Sequence, residues 1–226
     1  MLSKILKIFF FIFLGFVCIY IFYLSVIIND IYKFRNINPT YTSFMKYQIG
    51  EQAKNIKLIW TPYDKISNDL KRAVIAAEDD KFIQHQGYDW ESIENAIYKN
   101  LKQKKKVGGS TISQQLAKNL FLNSEKKISR KLNEFVITFF IEMILSKKRI
   151  LEIYLNVIEW GNKTYGVHAA SKKYFSIKPY ALNALQSAKL ASMINNPKYF
   201  DKNFDEPYLV EKTFVILNRM QYSVAP

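Results

Sequence analysis

The sequence predicts a mainly α domain carried behind one N-terminal transmembrane helix. Three observations lead there. An uncharged apolar run extends from Ile8 to Ile28. From residue 68 onward apolar residues recur at helical spacing, as in NDLKRAVIAAEDD and YALNALQSAKLASMI. Only seven glycines occur in 226 residues, and five of them (Gly87, Gly108, Gly109, Gly161 and Gly166) fall between the helical stretches, where turns belong.

The apolar run comes first. As a helix, residues 8–28 span ~31 Å, about one hydrocarbon core. Lys4 and Lys7 precede it and Asp30 follows. The positive-inside tendency places residues 1–7 in the cytoplasm and exports the rest, although Lys33 and Arg35 lie soon after the span. A cleaved signal peptide is the competing reading. It would need a shorter apolar core and a small-residue cleavage site, and YLSVIIND offers neither. The chain carries a formal charge of +14, and without Lys4 and Lys7 the exported part keeps +12. Such a surplus suits an anionic partner: nucleic acid, anionic lipid or a phosphate on a substrate. No nucleic-acid motif accompanies it. The single cysteine, Cys18, cannot form an intrachain disulfide.

Residues 29–56 have mixed composition and read as a connector with some extended structure; 57–220 form the domain and 221–226 a tail. The first helical segment ends on three acids, Glu78-Asp79-Asp80, in a chain short of acids. If that helix continues through residue 85, Glu78, Phe82 and His85 share one face at i, i+4 and i+7. A carboxylate set against an aromatic ring and an imidazole can have its proton affinity tuned. A solvated helix end is the plainer alternative. LKQKKKVGG (101–109) reads as a solvated, mobile loop. In GGSTISQQLAKN (108–119) two glycines precede Ser110 or Thr111 as a helix N-cap. Thr111, Gln115 and Lys118 then share a face suited to phosphate or sugar oxygens, or form an ordinary capped polar face.

Further on, SRKLNE (129–134) sets Arg130 and Lys131 before Glu134, which enters an apolar stretch. Such a carboxylate is either ion-paired or catalytic. The segment 132–145, LNEFVITFFIEMIL, is apolar nearly all round and reads as a buried core helix, with Glu142 structural. Residues 147–160 begin as an amphipathic helix. Gly161 and Gly166 mark a tight turn. Tyr154, Asn156 and Tyr174 either line a cleft or pack the core. His168 stands alone and makes a poor metal ligand. The segments 180–194 and 206–222 complete the helices.

The stretches AVIAAEDDKFIQHQGYD, GGSTISQQLAKNLFL, RKLNE, KKRILEIYLNVIEWGNKTYGVHAASKKYF and AKLASMINNPKYF occur in that order. Together they closely resemble the five motifs of the peptidoglycan glycosyltransferases, glycosyltransferase family 51, whose domain also occurs in class A penicillin-binding proteins. The resemblance covers about residues 57–220, and the chain ends without room for a transpeptidase domain. Gln86 stands where many members carry proline, and His168 where a glutamate is common.

The resemblance implies a lysozyme-like, mostly helical head with a small membrane-proximal jaw. It implies polymerisation of lipid II, an undecaprenyl-pyrophosphate disaccharide-pentapeptide, into β-1,4 glycan strands with inversion at the donor anomeric carbon. On that basis Glu78 is the general base, in the motif that also carries Asp79, Phe82 and His85. Ser110, Thr111, Gln115, Lys118 and Asn119 line the donor side. Arg130 and Lys131 meet pyrophosphate. Glu134 acts in the chemistry or supports the site, and Tyr154 and Asn156 contact substrate. There is room for a divalent cation, Mg or Mn, at the pyrophosphate, with no dedicated protein metal site. Expected partners are lipid II, the growing strand and membrane lipid, with cell-division or wall-synthesis proteins raised as further ones and nucleic acid excluded. The expected location is the inner membrane, with the catalytic domain on the periplasmic side. Two rivals remain: a lysozyme-like lytic enzyme, and a non-catalytic scaffold binding lipid-linked precursor. The cations Lys118, Arg130 and Lys131 weigh against the first, and the acids Glu78 and Glu134 against the second.

Overall fold

A computed structural model describes residues 2–102, 108–125 and 127–226. The basic segment 101–109 lies mostly outside them. The described residues are mainly α, as the periodicity predicts, with one short hairpin among them.

Helix α1 (Leu2–Lys33) is longer than the apolar run. Its outer part is exposed apolar surface, but Ile27 and Ile31 are buried against the domain. Arg149 ties down the helix end, donating to Phe34 O at 2.7 Å and to Asn38 Oδ1 at 2.8 Å. Helix α1 and the domain are therefore packed together rather than joined by a free tether. The stretch read as a connector is largely structured. Helix α2 (Ser43–Ile49), capped by Thr42, buries Met45, and a 3-10 segment follows it.

Helix α3 (Asn68–Glu78) starts at Ser67, whose hydroxyl accepts from Asp69 N. It ends at Glu78, so the expected continuous face through His85 does not form. Asp79 leaves helical geometry, and a turn reverses the chain toward Gly87, where φ is +91°. Helix α4 (Trp90–Lys102) follows. Helix α5 (Ile112–Phe121) opens with a capping box: Thr111 Oγ1 accepts from Gln114 N, and Gln114 Oε1 accepts from Thr111 N.

Helix α6 (Ile128–Ile144) departs most from expectation. Its inner face buries Glu134, Ile137, Thr138 and Ile141. Its outer face leaves Leu132, Phe135, Phe139 and Met143 exposed, Leu132 by 64% and Met143 by 61%. The all-round apolarity therefore serves two different surroundings, core on one side and an open surface on the other. Trp90 and Leu101 of α4 are likewise exposed, and Trp90 and Phe135 approach within 6.1 Å. Helix α1 runs beside this layer, and Tyr20 donates to Asn133 Oδ1 at 3.0 Å.

Helix α7 (Lys147–Val157) is central and almost wholly buried. Strands β1 (Glu159–Gly161) and β2 (Thr164–Tyr165) pair antiparallel and turn the chain into α8 (Val167–Phe175). Helix α9 (Ala184–Met193) packs between α3 and α11 (Pro207–Arg219). Four of its six buried residues are small (Ser187, Ala188, Ala191 and Ser192, beside Leu190 and Met193), which lets the helix axes approach closely. The short α10 (Pro197–Lys202) links α9 to α11.

Candidate active site

Ending α3 at Glu78 sets this carboxylate at the mouth of a cleft. On one side lies a hollow of about 100 Å³, lined by Glu78, Asp80, Ser110, Thr111 and Arg219. Beyond Gln115 lies a second, of about 280 Å³, lined by Gln115, Lys118, Asn119, Tyr154 and Asn195. Glu78 is half-buried. Desolvation is the largest influence on it and raises its pKa, while the Gln115 hydrogen bond and the Lys212 and Lys118 charges pull it back down.

Two contacts bring the α3 and α5 motifs together. Asp79 Oδ2 accepts the backbone N–H of Ile112 at 2.9 Å, at the α5 N-terminus. Thr111 Oγ1 donates to Gly87 O at 2.7 Å. One turn into α5, Gln115 Nε2 donates to Glu78 Oε2 at 2.8 Å, and Tyr154 OH donates to Gln115 Oε1 at 2.8 Å. One further turn brings Lys118, whose pKa burial lowers and the Glu134 carboxylate raises.

Helix α6 supplies the rest. Arg130 and Lys131 both donate to the buried Glu134, one to each oxygen, and Lys131 Nζ also donates to Ser110 Oγ at 3.2 Å. Three cations thus stand around one carboxylate. The local surplus of two positive charges, near the Glu78 carboxylate, suits an anionic ligand. Among the described residues no three His, Cys, Asp or Glu side chains gather as a metal site, and both Glu134 oxygens are occupied by cations. With both oxygens taken by cations, Glu134 does not fit a protein-held divalent cation.

The Transglycosylase family matches this chain over residues 46–221. The chain belongs to the transglycosylase family. It is 50% identical over 206 residues to the biosynthetic peptidoglycan transglycosylase of Chromobacterium violaceum, covering 88% of this chain and 90% of that protein. It is 49% identical to that of Nitrosomonas eutropha over 210 residues, 90% and 86% of the two chains. With that of Nitrosospira multiformis it is 45% identical over 221 residues, 95% and 96%.

Within this transglycosylase, the structure gathers Glu78, Ser110, Thr111, Gln115, Lys118, Asn119, Arg130, Lys131, Glu134 and Tyr154 about the cleft. Four expected contact residues do other work. Asp79 bonds His85 Nε2 at 2.8 Å as well as Ile112 N. His85 Nδ1 accepts from Gly87 N, so the ring braces the turn and faces Asp79 rather than Glu78. Phe82 is fully buried in the core. Asn156 is buried on the far side of α7, where its amide pairs with both Thr61 N and Thr61 O. The helix end at 78 and the facing of α7 thus give Phe82, His85 and Asn156 their partners within the protein. Tyr174 packs on Phe204 and bonds Asp201 instead of lining the cleft. Glu142 is structural, bonded by Ser113 and by Lys147 at 2.7 Å.

Sequence reasoning missed two residues. Asn195 follows α9, and Lys212 sits on the inward side of α11 between buried Leu209 and Ile216. A lysine inside that apolar spacing is the signal that could have pointed to it. Asn195 satisfies both neighbours in one amide orientation, with Nδ2 donating to Glu78 Oε1 at 3.1 Å and Oδ1 accepting from Lys212 Nζ at 2.8 Å.

Proposed function

We propose that this protein polymerises lipid II into β-1,4 glycan strands, releasing undecaprenyl pyrophosphate, as part of cell-wall synthesis. The observation that carries the reading is a half-buried carboxylate, Glu78, beside a surplus of cations formed by Lys118, Arg130 and Lys131. A glycan hydrolase needs the carboxylate but has no anionic leaving group for those cations to meet. The names of the relatives support the same reading.

In this reading Glu78 takes the proton of the acceptor 4-hydroxyl as its oxygen bonds the donor's anomeric carbon. A pKa raised by burial suits a base working near neutrality. The bond from that carbon to the pyrophosphate breaks, and the pyrophosphate leaves with the electron pair toward Lys118, Arg130 and Lys131. Attack opposite the leaving group inverts the centre, from an α-linked donor to a β product. Glu134 holds Arg130 and Lys131 in place. The hollows on the two sides of the Glu78–Gln115 pair suit a reaction that joins two sugars.

The protein is membrane-anchored by α1, the one described helix long and apolar enough to span a bilayer. Residues 1–7 lie in the cytoplasm, and the cleft opens on the outer side of the inner membrane. Tyr20, bonded to Asn133, lies eight residues inside Ile28, a depth of about 12 Å. The apolar outer faces of α4 and α6 therefore enter the bilayer, where the lipid tail of the substrate resides.

The test is incubation of detergent-solubilised protein with labelled lipid II, beside Glu78→Gln, with products separated by size. Long lysozyme-sensitive strands from the wild type alone support the reading. Soluble muropeptides from purified wall, with no polymer from lipid II, would replace it with a lytic enzyme.

A further inference from the structure

Two side-chain amides face Glu78, one at each carboxylate oxygen: Gln115 Nε2 donates at 2.8 Å, and Asn195 donates at 3.1 Å with its amide assigned the orientation that suits both Glu78 and Lys212. An amide can turn either its nitrogen or its oxygen toward a neighbour, and an oxygen against a carboxylate repels it. Behind each amide stands a group acting as donor. Tyr154 OH gives its proton to Gln115 Oε1 at 2.8 Å; the residue is fully buried and its pKa is raised well above the ordinary phenol value, so the hydroxyl keeps that proton. Lys212 Nζ donates to Asn195 Oδ1 at 2.8 Å and is fixed by a second bond to Ser192 O at 2.9 Å. An ammonium has no acceptor to offer. Two chains of the same polarity, donor to amide oxygen and amide nitrogen to carboxylate, thus converge on one side chain from opposite walls.

We propose that Tyr154 and Lys212 are positioning residues that hold the Gln115 and Asn195 amides nitrogen-first against Glu78, so that the carboxylate is kept ionised and aimed for proton abstraction. The inference rests on the base role proposed for Glu78. Hydrogen bonds to the charged form oppose the burial that raises its pKa. Lys118 from α5 and Lys212 from α11 also face it and favour the ionised form, while the neighbouring Asp79 opposes it. Asp80 at the rim is 3.6 Å from Arg219. With Lys212 or the Tyr154 hydroxyl gone, an amide is free to turn its oxygen inward, and the ionised fraction of Glu78 at a given pH falls.

The experiment measures kcat and KM against pH for the full chain polymerising lipid II. The variants are Lys212→Met, Lys212→Arg, Asn195→Ala, Tyr154→Phe and the double Lys212→Met/Asn195→Ala. The expected result is an acid limb of kcat/KM displaced upward by about one pH unit in Lys212→Met and Tyr154→Phe, about tenfold in rate on that limb. KM at high pH stays near the wild-type value, and Lys212→Arg restores the profile. The double variant is no worse than Asn195→Ala, because Lys212 acts through that amide. Additive effects would reduce Lys212 to a bare charge and overturn the proposal, as would an unmoved acid limb with a lower melting temperature. Infrared titration of the Glu78 carboxyl in the same proteins, referenced to Glu78→Gln, reads the shift without turnover. A wild type that makes no polymer while Lys212→Met still raises the Glu78 titration would overturn the assigned reaction and leave the amide arrangement standing. An unmoved titration would overturn the amide arrangement itself.

Discussion

Asp79 accepts the backbone N–H of Ile112 at 2.9 Å, joining the C-terminal end of α3 to the N-terminal end of α5 across 33 residues of sequence. Because α3 ends one residue earlier, this bond sets Glu78 opposite Gln115. The other Asp79 oxygen is held by His85 at 2.8 Å. Asp79→Ala should leave a buried N–H without a partner and lower stability by about 2 kcal/mol, while kcat falls because Glu78 and Gln115 separate. Denaturant unfolding and turnover measure the two effects. A loss of turnover with unchanged stability would instead place Asp79 in the chemistry.

Glu78→Gln should abolish polymerisation and make the fold more heat-stable. Burial raises the folded-state pKa of Glu78 above its unfolded value. Below the unfolded pKa the group is neutral in both states and costs nothing. As pH rises through the folded pKa, ionisation in the cleft penalises the native state. The gain in melting temperature from Glu78→Gln should therefore be larger at pH 8 than at pH 4. Calorimetry at the two values checks it; an equal gain would mean that the carboxylate is not desolvated.

Lys118→Met should cost activity without costing stability. Burial lowers the Lys118 pKa, with the Glu134 charge pulling the other way. Removing one preorganised cation from the proposed leaving-group site should reduce kcat/KM by about 100-fold, with a melting temperature no lower than wild type. Retained kcat/KM would remove Lys118 from the pyrophosphate site.

A spin label on Phe139→Cys, in a Cys18→Ser background, should report hydrocarbon depth in proteoliposomes. Phe139 is exposed on the same face of α6 as Leu132 and Phe135. The label should be reached by oxygen and shielded from an aqueous nickel chelate. Free access of the chelate would put this face in water.

Gly166→Ala should destabilise the fold by about 3 kcal/mol or more. Gly166 has φ +80° and ψ 151°, a region that side chains avoid, and an added Cβ would lie 2.6 Å from Asn156 O. A melting temperature within a degree of wild type would contradict that geometry.

Much of the site was legible because its parts are local. Thr111 as N-cap, the i, i+4 spacing of Arg130 and Glu134, and the acid Glu78 at a helix end are each set within one or two turns of chain. The five motifs in order were enough to point to the family. Two residues escaped for the opposite reason. Asn195 and Lys212 reach Glu78 only because the small side chains of α9 bring α3 and α11 together, and no spacing within one segment records that approach.

By itself, then, the sequence determined the N-terminal apolar helix, the helical character and the chemistry on offer, since apolar length, 3.6-residue periodicity and side-chain type are properties of the chain. Tertiary structure decided which way each helix faces. Nothing in LNEFVITFFIEMIL separates the side that packs Ile137 and Ile141 from the side that exposes Phe139 and Met143. Apolar residues satisfy a protein core and a lipid bilayer by the same burial from water, so only the packing partners distinguish the two. The same holds for His85 and Asn156, polar groups that could have met substrate and that the fold spends on Asp79 and Thr61.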